Sequence, residues 1–283
     1  MIWPEGVYSR LEGGLGNQLF MYAFSRALSL ELQVPLFLDS HHGFERDHRY
    51  RREYRLDNFK IKGTLLKKAH PFVGFEEKRP YRWLKKVSKI LPLSISPLLE
   101  EERVRAMGLE SLVCPRRVIV MGYWQSERWF LPHRIKLLED FRATQELGEK
   151  ALTYLQGVSS CDSVAIHFRL VDFKDVLDVK YYHKAIEILK EKLGSFRVYV
   201  FSDSPLEAVK TGVLKGLDYT MVETDNEIDD FQLMSLCHHQ ITANSSFSWW
   251  AAWLNSRDGK KVFAPQEYGF PIEIPESWLT LSS

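Results

Sequence analysis

The sequence predicts an α/β protein with two domains, each built on a parallel sheet covered by helices. Short apolar strands alternate with amphipathic helices along most of the chain, which is typical of such sheets. The length of 283 residues exceeds that of one average domain. A polar stretch at 145–150 interrupts the pattern. We therefore expect an N-terminal α/β domain at 1–150 and a C-terminal one at 151–283, with a cleft between them.

The elements follow from apolar periodicity and from turn residues. In the first half, the predicted elements are strand 7–11, helix 17–32, and strands 34–38 and 117–121. Residues 41–105 are rich in basic and aromatic side chains and predict only mixed helix and loop. In the second half, the predicted elements are strand 163–168, helix 181–193, strand 197–201, a helix from Pro205, strand 218–222, helix 228–237, strand 240–243, helix 245–254 and strand 261–264.

Composition excludes several classes of protein. The chain has 38 Lys+Arg and 37 Asp+Glu, so its charge does not favour general nucleic-acid binding. Its 3 cysteines lie far apart without a CxxC pair, which argues against disulfides and a zinc site. No apolar run approaches the roughly 18 residues of a membrane span, and the first residues lack the layout of a secretory signal. We expect a soluble, cytoplasmic protein that needs no metal.

Charge is distributed unevenly along the chain. Residues 1–150 carry an excess of basic side chains, residues 151–283 an excess of acidic ones, and 43–90 are the most basic segment. A basic segment of this kind is usually a solvated face. It also fits docking near anionic lipid headgroups or a phosphate-bearing acceptor, so a peripheral membrane contact through 43–90 is a second hypothesis.

The first candidate site is a glycine turn between a strand and a helix. It contains Gly13, Gly14 and Gly16. Such a turn lets the backbone approach a ligand and presents the N–H groups of a helix start. The dinucleotide fingerprint fails, because its third glycine falls on Leu19. A plain tight turn is the simpler interpretation, but the adjoining amides of Asn17 and Gln18 are suited to orienting a polyhydroxyl ligand.

The second candidate site directly follows the strand 163–168. Alternation along the strand puts His167 and Arg169 on one face, at a strand end where α/β proteins bind ligands. The planar guanidinium of Arg169 is suited to a diphosphate. The alternative is structural: an ion pair from Arg169 to Asp172 that closes a turn, with His167 satisfied in the core.

The third candidate site is a helix start. Its segment contains Asn244, Ser245, Ser246 and Phe247, followed by Trp249, Trp250 and Trp253. Either of the first two residues is a good N-cap. The helix is apolar on nearly every side, so the tryptophans are expected in the core. Hydroxyls and N–H groups in the first turn make a phosphate cradle, although simple capping explains them as well.

Two further strand ends carry polar residues. Asp203 follows the end of the strand 197–201 and is placed to accept from a ribose or a base. Trp124 and Gln125 follow the strand 117–121 and are expected to line the cleft.

Together these motifs resemble one family, the α-1,2-fucosyltransferases of glycosyltransferase family 11. The segments that carry the resemblance are GGLGNQLF at 13–20, HFRLVD at 167–172, YYHKAI at 181–186, FSD at 201–203 and ITANSSFSWWAAWL at 241–254. The resemblance runs through nearly the whole chain. It implies a GT-B architecture with two Rossmann-like domains facing a cleft, a GDP-fucose donor bound by the C-terminal domain, an acceptor on the N-terminal side, no metal and inversion at the anomeric carbon.

The family pattern also implies roles for individual residues. It places Arg169 on the donor pyrophosphate, His167 near the nucleotide and Asn17 on the fucose or acceptor side. It matches Ser245 and Ser246 to the phosphate-facing helix start. Two positions depart from the pattern: Leu170 replaces a second arginine and Ser204 a second aspartate. The first departure leaves Arg169 with less help at the phosphates, and the second makes Asp203 the better nucleoside contact.

Sugar transfer from a nucleotide builds negative charge on the departing diphosphate, and Arg169 with the helix start is the expected counterweight. Inversion also needs a base for the acceptor hydroxyl. Asp172 is the first candidate, with Asp175, Asp178 and Glu12 behind it. The expected acceptor is a galactose-terminated oligosaccharide or a lipid-linked glycan of bacterial surface-glycan synthesis, handled on the cytoplasmic side. The rival functions are a fucosyltransferase of another linkage, a protein O-fucosyltransferase, an inactive GDP-sugar binding module and an NAD-dependent dehydrogenase.

Overall fold

A computed structural model of the chain describes residues 3–41, 43–45, 47–48, 50–68, 79–107, 112–171 and 177–282. The chain separates into two compact units, Met1–Thr144 and Gln145–Ser283. Each unit has its own parallel sheet, so the predicted α/β class with two parallel sheets is confirmed. Within the described ranges, no helix is both long and apolar enough to cross a bilayer.

The N-terminal unit contains a five-stranded sheet. Its strands are β1 (Gly6–Arg10), β2 (Leu36–Asp39), β3 (Thr64–Leu65), β4 (Leu98–Glu100) and β5 (Arg117–Met121). Its helices are α1 (Leu15–Leu32), α2 (Arg79–Ile90), α3 (Glu101–Ala106) and α4 (Arg134–Asp140), and short 3-10 helices span Leu56–Asn58, Leu93–Ile95, Glu127–Trp129 and Leu131–His133. The strand order is β3-β2-β1-β5-β4, and every strand pair is parallel.

A buried polar network fixes α1 in this unit. The Tyr22 hydroxyl donates to the Asp140 carboxylate at 2.7 Å, and Arg26 Nε lies 3.0 Å from the same oxygen. The backbone N–H of Lys62 donates to the Tyr22 hydroxyl at 2.7 Å. Because each of these polar groups has a partner, their burial is compensated. The network ties α1 to α4 and to the segment before β3.

The segment 41–105 is where the sequence predicted least. The structure adds β3, β4 and α2 there. Strand β3 has only two residues and β4 three. Strands this short offer no period to read, and they exist because neighbouring strands pair with them.

The C-terminal unit contains a six-stranded sheet. Its strands are β6 (Ser163–Phe168), β7 (Arg197–Ser202), β8 (Tyr219–Met221), β9 (His239–Ile241), β10 (Val262–Pro265) and β11 (Leu279–Leu281). Its helices are α5 (Glu149–Val158), α6 (Val179–Leu193), α7 (Pro205–Lys210), α8 (Glu227–Leu236) and α9 (Ser246–Leu254). The order is β11-β10-β9-β6-β7-β8, again with parallel pairs. The predicted elements of this half are confirmed, with ends shifted by one or two residues.

The core of this unit lies between the sheet and α6. Buried aliphatic side chains of β6 and β7 pack against one face of α6. The buried Tyr181 hydroxyl lies 2.8 Å from the Thr242 carbonyl and 2.9 Å from the Phe263 carbonyl. This contact fixes α6 against the segment that follows β9, which in turn leads into α9.

Candidate functional site

Sheet order brings three of the predicted motifs together in the C-terminal unit. Strands β9, β6 and β7 are neighbours, and they are parallel. The residues that follow them therefore emerge at one edge of the sheet. These are Asn244–Phe247 after β9, Arg169 after β6 and Asp203 after β7. The carboxyl edge of a parallel sheet is where α/β proteins bind ligands.

Arg169 is held at this edge by Asp203. Its Nε atom lies 3.2 Å from Oδ2 of Asp203. The same carboxylate accepts the backbone N–H of Leu170 at 2.9 Å and of Val171 at 3.2 Å. Asp203 thus fixes both the guanidinium and the loop behind it, while the Arg169 side chain remains 25% exposed. The predicted nucleoside contact of Asp203 stays a prediction, and what the structure gives this carboxylate is a positioning role.

His167 lies beneath Arg169 in a buried position. Burial, together with the positive charge of Arg169, lowers the pKa of His167 to about 3, so the ring is neutral at pH 7. The Tyr182 hydroxyl donates to the His167 carbonyl at 3.0 Å. The ring nitrogen Nδ1 has no hydrogen-bond partner among the described residues. A fully satisfied core histidine, the structural alternative, does not describe this group.

The start of α9 is capped by its own serine. The Ser245 hydroxyl accepts from the Phe247 N–H at 3.3 Å, and the first turn of the helix contains no acidic side chain. The Phe247 ring lies 5.9 Å from the His167 ring, centroid to centroid. Asn244 is buried, whereas Ser245, Ser246 and Phe247 are half-buried. Capping is therefore present, and the positive end of the helix lies close to His167.

The tryptophans of α9 lie in the core, as the sequence predicts. Trp249 and Trp250 are fully buried, and Trp253 is 2% exposed. Their rings pack against one another, and Trp249 also contacts Trp278. They anchor the helix and so fix the position of its first turn.

In the N-terminal unit, the glycine turn holds Asn17 in place. Gly13 has φ of +78°, and a Cβ there would lie 2.8 Å from Asn17 Nδ2. Gln125 Nε2 donates to Asn17 Oδ1 at 3.0 Å. Gly14 is the N-cap of α1 without a side-chain cap, and Gly16 is buried in the first turn. A side chain at Gly13 would be strained by the positive φ and would push against the Asn17 amide, which Gln125 orients.

Two residues predicted on the acceptor side are fully buried in the structure. Gln18 is fully buried; its Nε2 donates to the Gly13 and Glu53 carbonyls, and its Oε1 accepts the Arg55 N–H. It therefore joins the turn to the segment 53–55. Trp124 is also fully buried, and its ring is stacked 3.7 Å from that of Phe24.

The backbone at Trp124 and the surroundings of Gln125 show how this strand end is packed. Trp124 has φ of +56°, in the left-handed region, and its indole packs against the rings of Phe24 and Trp129. Gln125 is 4% exposed, and its amide contacts Asn17 rather than open solvent. The predicted position of Gln125 near the acceptor stays a prediction. Its link to the acceptor side is the hydrogen bond to Asn17.

The structure describes two of the four candidate bases. Asp172 and Asp175 lie outside the described residues. Asp178 is the N-cap of α6, where it accepts the Lys180 N–H at 2.9 Å. Glu12 forms an ion pair with Arg10 at 2.7 Å and is partly exposed beside the glycine turn. Within the described ranges, no group of three or more His, Cys, Asp or Glu side chains is placed to hold a metal ion.

Two further features, Arg52 at the glycine turn and Asp230 on α8, were not predicted. The Arg52 guanidinium carbon lies 3.8 Å from where a Cβ on Gly14 would be, so a positive charge covers the turn. Burial raises the pKa of Asp230 to about 6, and this group accepts from the Thr224 hydroxyl at 2.8 Å. In the sequence, Arg52 is one of many basic residues in 43–90 and does not stand out from them. No motif in the sequence distinguishes Asp230.

Comparison with known proteins gives these features a family. The sequence model of Glycosyl transferase family 11 matches residues 99–274, which is more than half of the chain. An Escherichia coli protein described as alpha-1,2-colitosyltransferase is 30% identical over 97% of this chain and 98% of its own length. A second E. coli protein, the O-antigen biosynthesis glycosyltransferase WbnK, is 28% identical over 93% of this chain and 94% of its own. The chain belongs to glycosyltransferase family 11.

Solved structures agree on the fold. Fucosyltransferase NodZ from Bradyrhizobium superposes with a TM-score of 0.56 at 14% identity, covering 89% of this chain and 93% of that one. NodZ α-1,6-fucosyltransferase soaked with GDP-fucose gives a TM-score of 0.52 at 15% identity, covering 89% and 93%. At this identity the likeness concerns architecture, and it supports the predicted GT-B-like fold.

Proposed function

We propose that this glycosyltransferase moves fucose from GDP-fucose to the 2-hydroxyl of a galactoside, with inversion and without a metal ion. One observation carries the proposal: Asp203 holds the Arg169 guanidinium at the carboxyl edge of the sheet. Arg169 follows β6, and β6 is the neighbour of β9, which leads into α9. A fixed cation and a helix start together are suited to a diphosphate. The fold likeness to a fucosyltransferase crystal soaked with GDP-fucose adds support for the donor class.

In the proposed reaction, the bond between the anomeric carbon and the diphosphate breaks as the acceptor oxygen attacks from the opposite face. Positive charge develops on the sugar ring and negative charge on the departing GDP. Arg169 and the first turn of α9 stabilise that negative charge. Removing a donor of this kind costs on the order of 2.7–4 kcal/mol of barrier by analogy with oxyanion holes. In this proposal His167 lies beside the nucleotide. Its ring is neutral at pH 7, so the positive charge near the diphosphate comes from Arg169.

The acceptor hydroxyl must lose its proton as it attacks. We propose Asp172 as the base, with Asp175 and Glu12 as the alternatives. Asp178 is a weaker candidate, because its carboxylate already caps α6. On the N-terminal side, Asn17 is proposed to orient the sugar or the acceptor, with Gln125 holding its amide.

A second donor deserves an equal test. The relative that is 30% identical carries the description alpha-1,2-colitosyltransferase. Colitose is fucose without its 3-hydroxyl, so a site for one sugar differs from a site for the other by a single polar contact. GDP-colitose is therefore the second candidate. For the acceptor, the relationship to an O-antigen biosynthesis enzyme favours a surface-glycan unit assembled in the cytoplasm, free or lipid-linked.

The deciding experiment offers the purified protein GDP-fucose, GDP-colitose and GDP-mannose with a panel of galactosides, and reads product linkage by NMR. Transfer of fucose to O2 with an α linkage is the expected result. An α-1,6 product, or modification of a protein acceptor, would establish another fucosyltransferase class, and GDP binding without transfer to any acceptor would indicate an inactive module. Activity should survive EDTA.

Asp172→Asn should lower kcat with little change in GDP affinity, and an unchanged kcat would exclude Asp172 as the base.

A further inference from the structure

Helix α2 carries an exposed face that is both basic and apolar. We propose that this face docks the protein on an anionic lipid bilayer. The inference rests on α2 and the segment that follows it, and it holds for either donor and any acceptor. The membrane contact expected for the basic segment 43–90 is thereby assigned to α2 and to the 3-10 helix that follows it.

The inner side of α2 is fixed against the sheet of the N-terminal unit. Tyr81 and Leu84 are buried in a cluster with Leu98 and Ile119, from β4 and β5. Lys85, at the edge of this side, lies 3.0 Å from a carboxylate oxygen of Glu100. The orientation of the helix about its axis is therefore set by packing.

Because the packing fixes the orientation of α2, it also determines which side chains face outward. At about 100° per residue, its exposed side chains fall within an arc of about 120° on the helix surface. They are Arg79, Arg82, Trp83, Lys86, Lys89 and Ile90. Trp83 is 61% exposed and Ile90 is 83% exposed. The sequence contains no acidic residue from 79 to 99, so nothing within this stretch neutralises the basic side chains.

The carboxyl end of α2 is also fastened. The Arg103 guanidinium, from α3, donates to the backbone carbonyls of Ser88 and Leu91. It satisfies groups that a helix end would otherwise leave open. Ile90 is thereby kept outward, and Ile95 on the following 3-10 helix adds a second apolar group that is 57% exposed.

This combination fits a bilayer surface better than another protein. Tryptophan at a headgroup boundary, aliphatic side chains entering the acyl region and flanking Lys or Arg are the features of an interfacial helix. Each cation near an anionic surface adds attraction. A second copy of the chain docking symmetrically on this face would oppose basic side chains with basic ones, which is repulsive.

The test measures co-sedimentation with phosphatidylcholine vesicles, with and without phosphatidylglycerol. Wild type should bind the anionic vesicles, and the double variant Lys86→Glu/Lys89→Glu should lower the partition coefficient at least about tenfold. Trp83→Ala keeps the charges and should lower it several-fold. The matched control is Lys184→Glu/Lys215→Glu, two exposed lysines of the C-terminal unit, which has the same charge change and should bind like wild type.

Three results would overturn the proposal. The first is equal binding of wild type to vesicles with and without phosphatidylglycerol, or no binding to either. The second is an equal loss in the control variant, which would indicate an effect of net charge alone. The third is a dimer in sedimentation velocity that Lys86→Glu/Lys89→Glu separates, because the face would then be a contact between copies. Circular dichroism checks the fold of each variant, and Trp83→Ala remains decisive if the double variant does not fold.

Discussion

Each unit contains one helix that begins at a predicted motif, and the two helices begin in opposite ways. In the N-terminal unit, α1 follows a glycine turn, and its N-cap Gly14 offers no side chain to the helix. In the C-terminal unit, α9 follows a serine turn, and Ser245 caps the helix with its own hydroxyl. Both helices follow strands of a parallel sheet.

The difference lies in which groups shape each turn. Around α1 the polar groups come from neighbouring side chains: Gln18 fastens the turn and Gln125 orients Asn17. Around α9 they come from the helix start itself, with an arginine from the adjacent strand. A bare backbone with oriented amides is suited to hydroxyl groups, whereas a capped helix start beside a guanidinium is suited to phosphate. The two turns therefore predict different defects when they are altered.

The largest effect is expected from Arg169→Ala. Removal of the cation that faces the departing diphosphate should lower kcat by about 10²–10³-fold, while the thermal unfolding midpoint stays near that of wild type. The control is Arg197→Ala, at the start of the neighbouring strand, where an exposed arginine pairs with Asp218. It should keep full turnover. Near-normal kcat in Arg169→Ala would remove the phosphate role from this residue.

Asp203→Asn sharpens the same point. The amide still fills the space but no longer attracts the guanidinium, so a smaller fall in kcat is expected than for Arg169→Ala. The double variant should be no worse than Arg169→Ala alone, since Asp203 is placed to act through Arg169. Additive losses in this double-mutant cycle would mean that Asp203 contacts the substrate independently.

A second, smaller effect is expected in the glycine turn. Asn17→Ala should reduce kcat/KM for the acceptor by about tenfold or more, because an oriented hydrogen bond to a hydroxyl is lost. Gln125→Ala leaves Asn17 present but without its 3.0 Å partner, so a milder loss is expected. GDP affinity, measured by calorimetry, should change little in both. A large drop in GDP affinity would assign this turn to the nucleotide instead.

The sequence predicted strand β6, helix α9 and the glycine turn well because each has strong local signals. A short run of apolar and β-branched residues, a serine cap and glycines between strand and helix need no tertiary information. It could not predict that Trp124 turns inward or that Gln18 is consumed by the turn, because both depend on contacts with distant residues. The pairing of Arg169 with Asp203 depends on strand order, which a single sequence does not state.

Acidification should weaken the C-terminal unit. Among the described histidines, His167 and His239 have a lowered pKa, and both lie in this unit. Since the pKa of His167 is about 3, its ring stays neutral in the folded protein while the unfolded ring gains a proton below its ordinary pKa of 6.5. This residue therefore favours folding fully above that pH and less as the pH falls towards 3, by up to about 1.4 kcal/mol per pH unit.

The measurement for this prediction is urea unfolding as a function of pH in wild type and in His167→Gln, which has no titrating ring. The free energy of unfolding of the variant should fall less steeply below the ordinary histidine pKa. Parallel pH profiles would show that His167 is protonated in the folded state and would contradict its neutral role beside Arg169.

The smallest effect is expected from Ser245→Ala. Loss of the cap should lower the free energy of unfolding by about 1 kcal/mol. If the first turn of α9 also binds phosphate, KM for the donor should rise a few-fold as well. The control is Asn226→Ala, which removes the cap of α8 and should lower stability by a similar amount with donor KM unchanged. Because both variants loosen a helix start in the same unit, a KM change confined to Ser245→Ala separates anion binding from capping. An equal change in both would reduce the serine turn to a structural element and leave Arg169 as the phosphate contact.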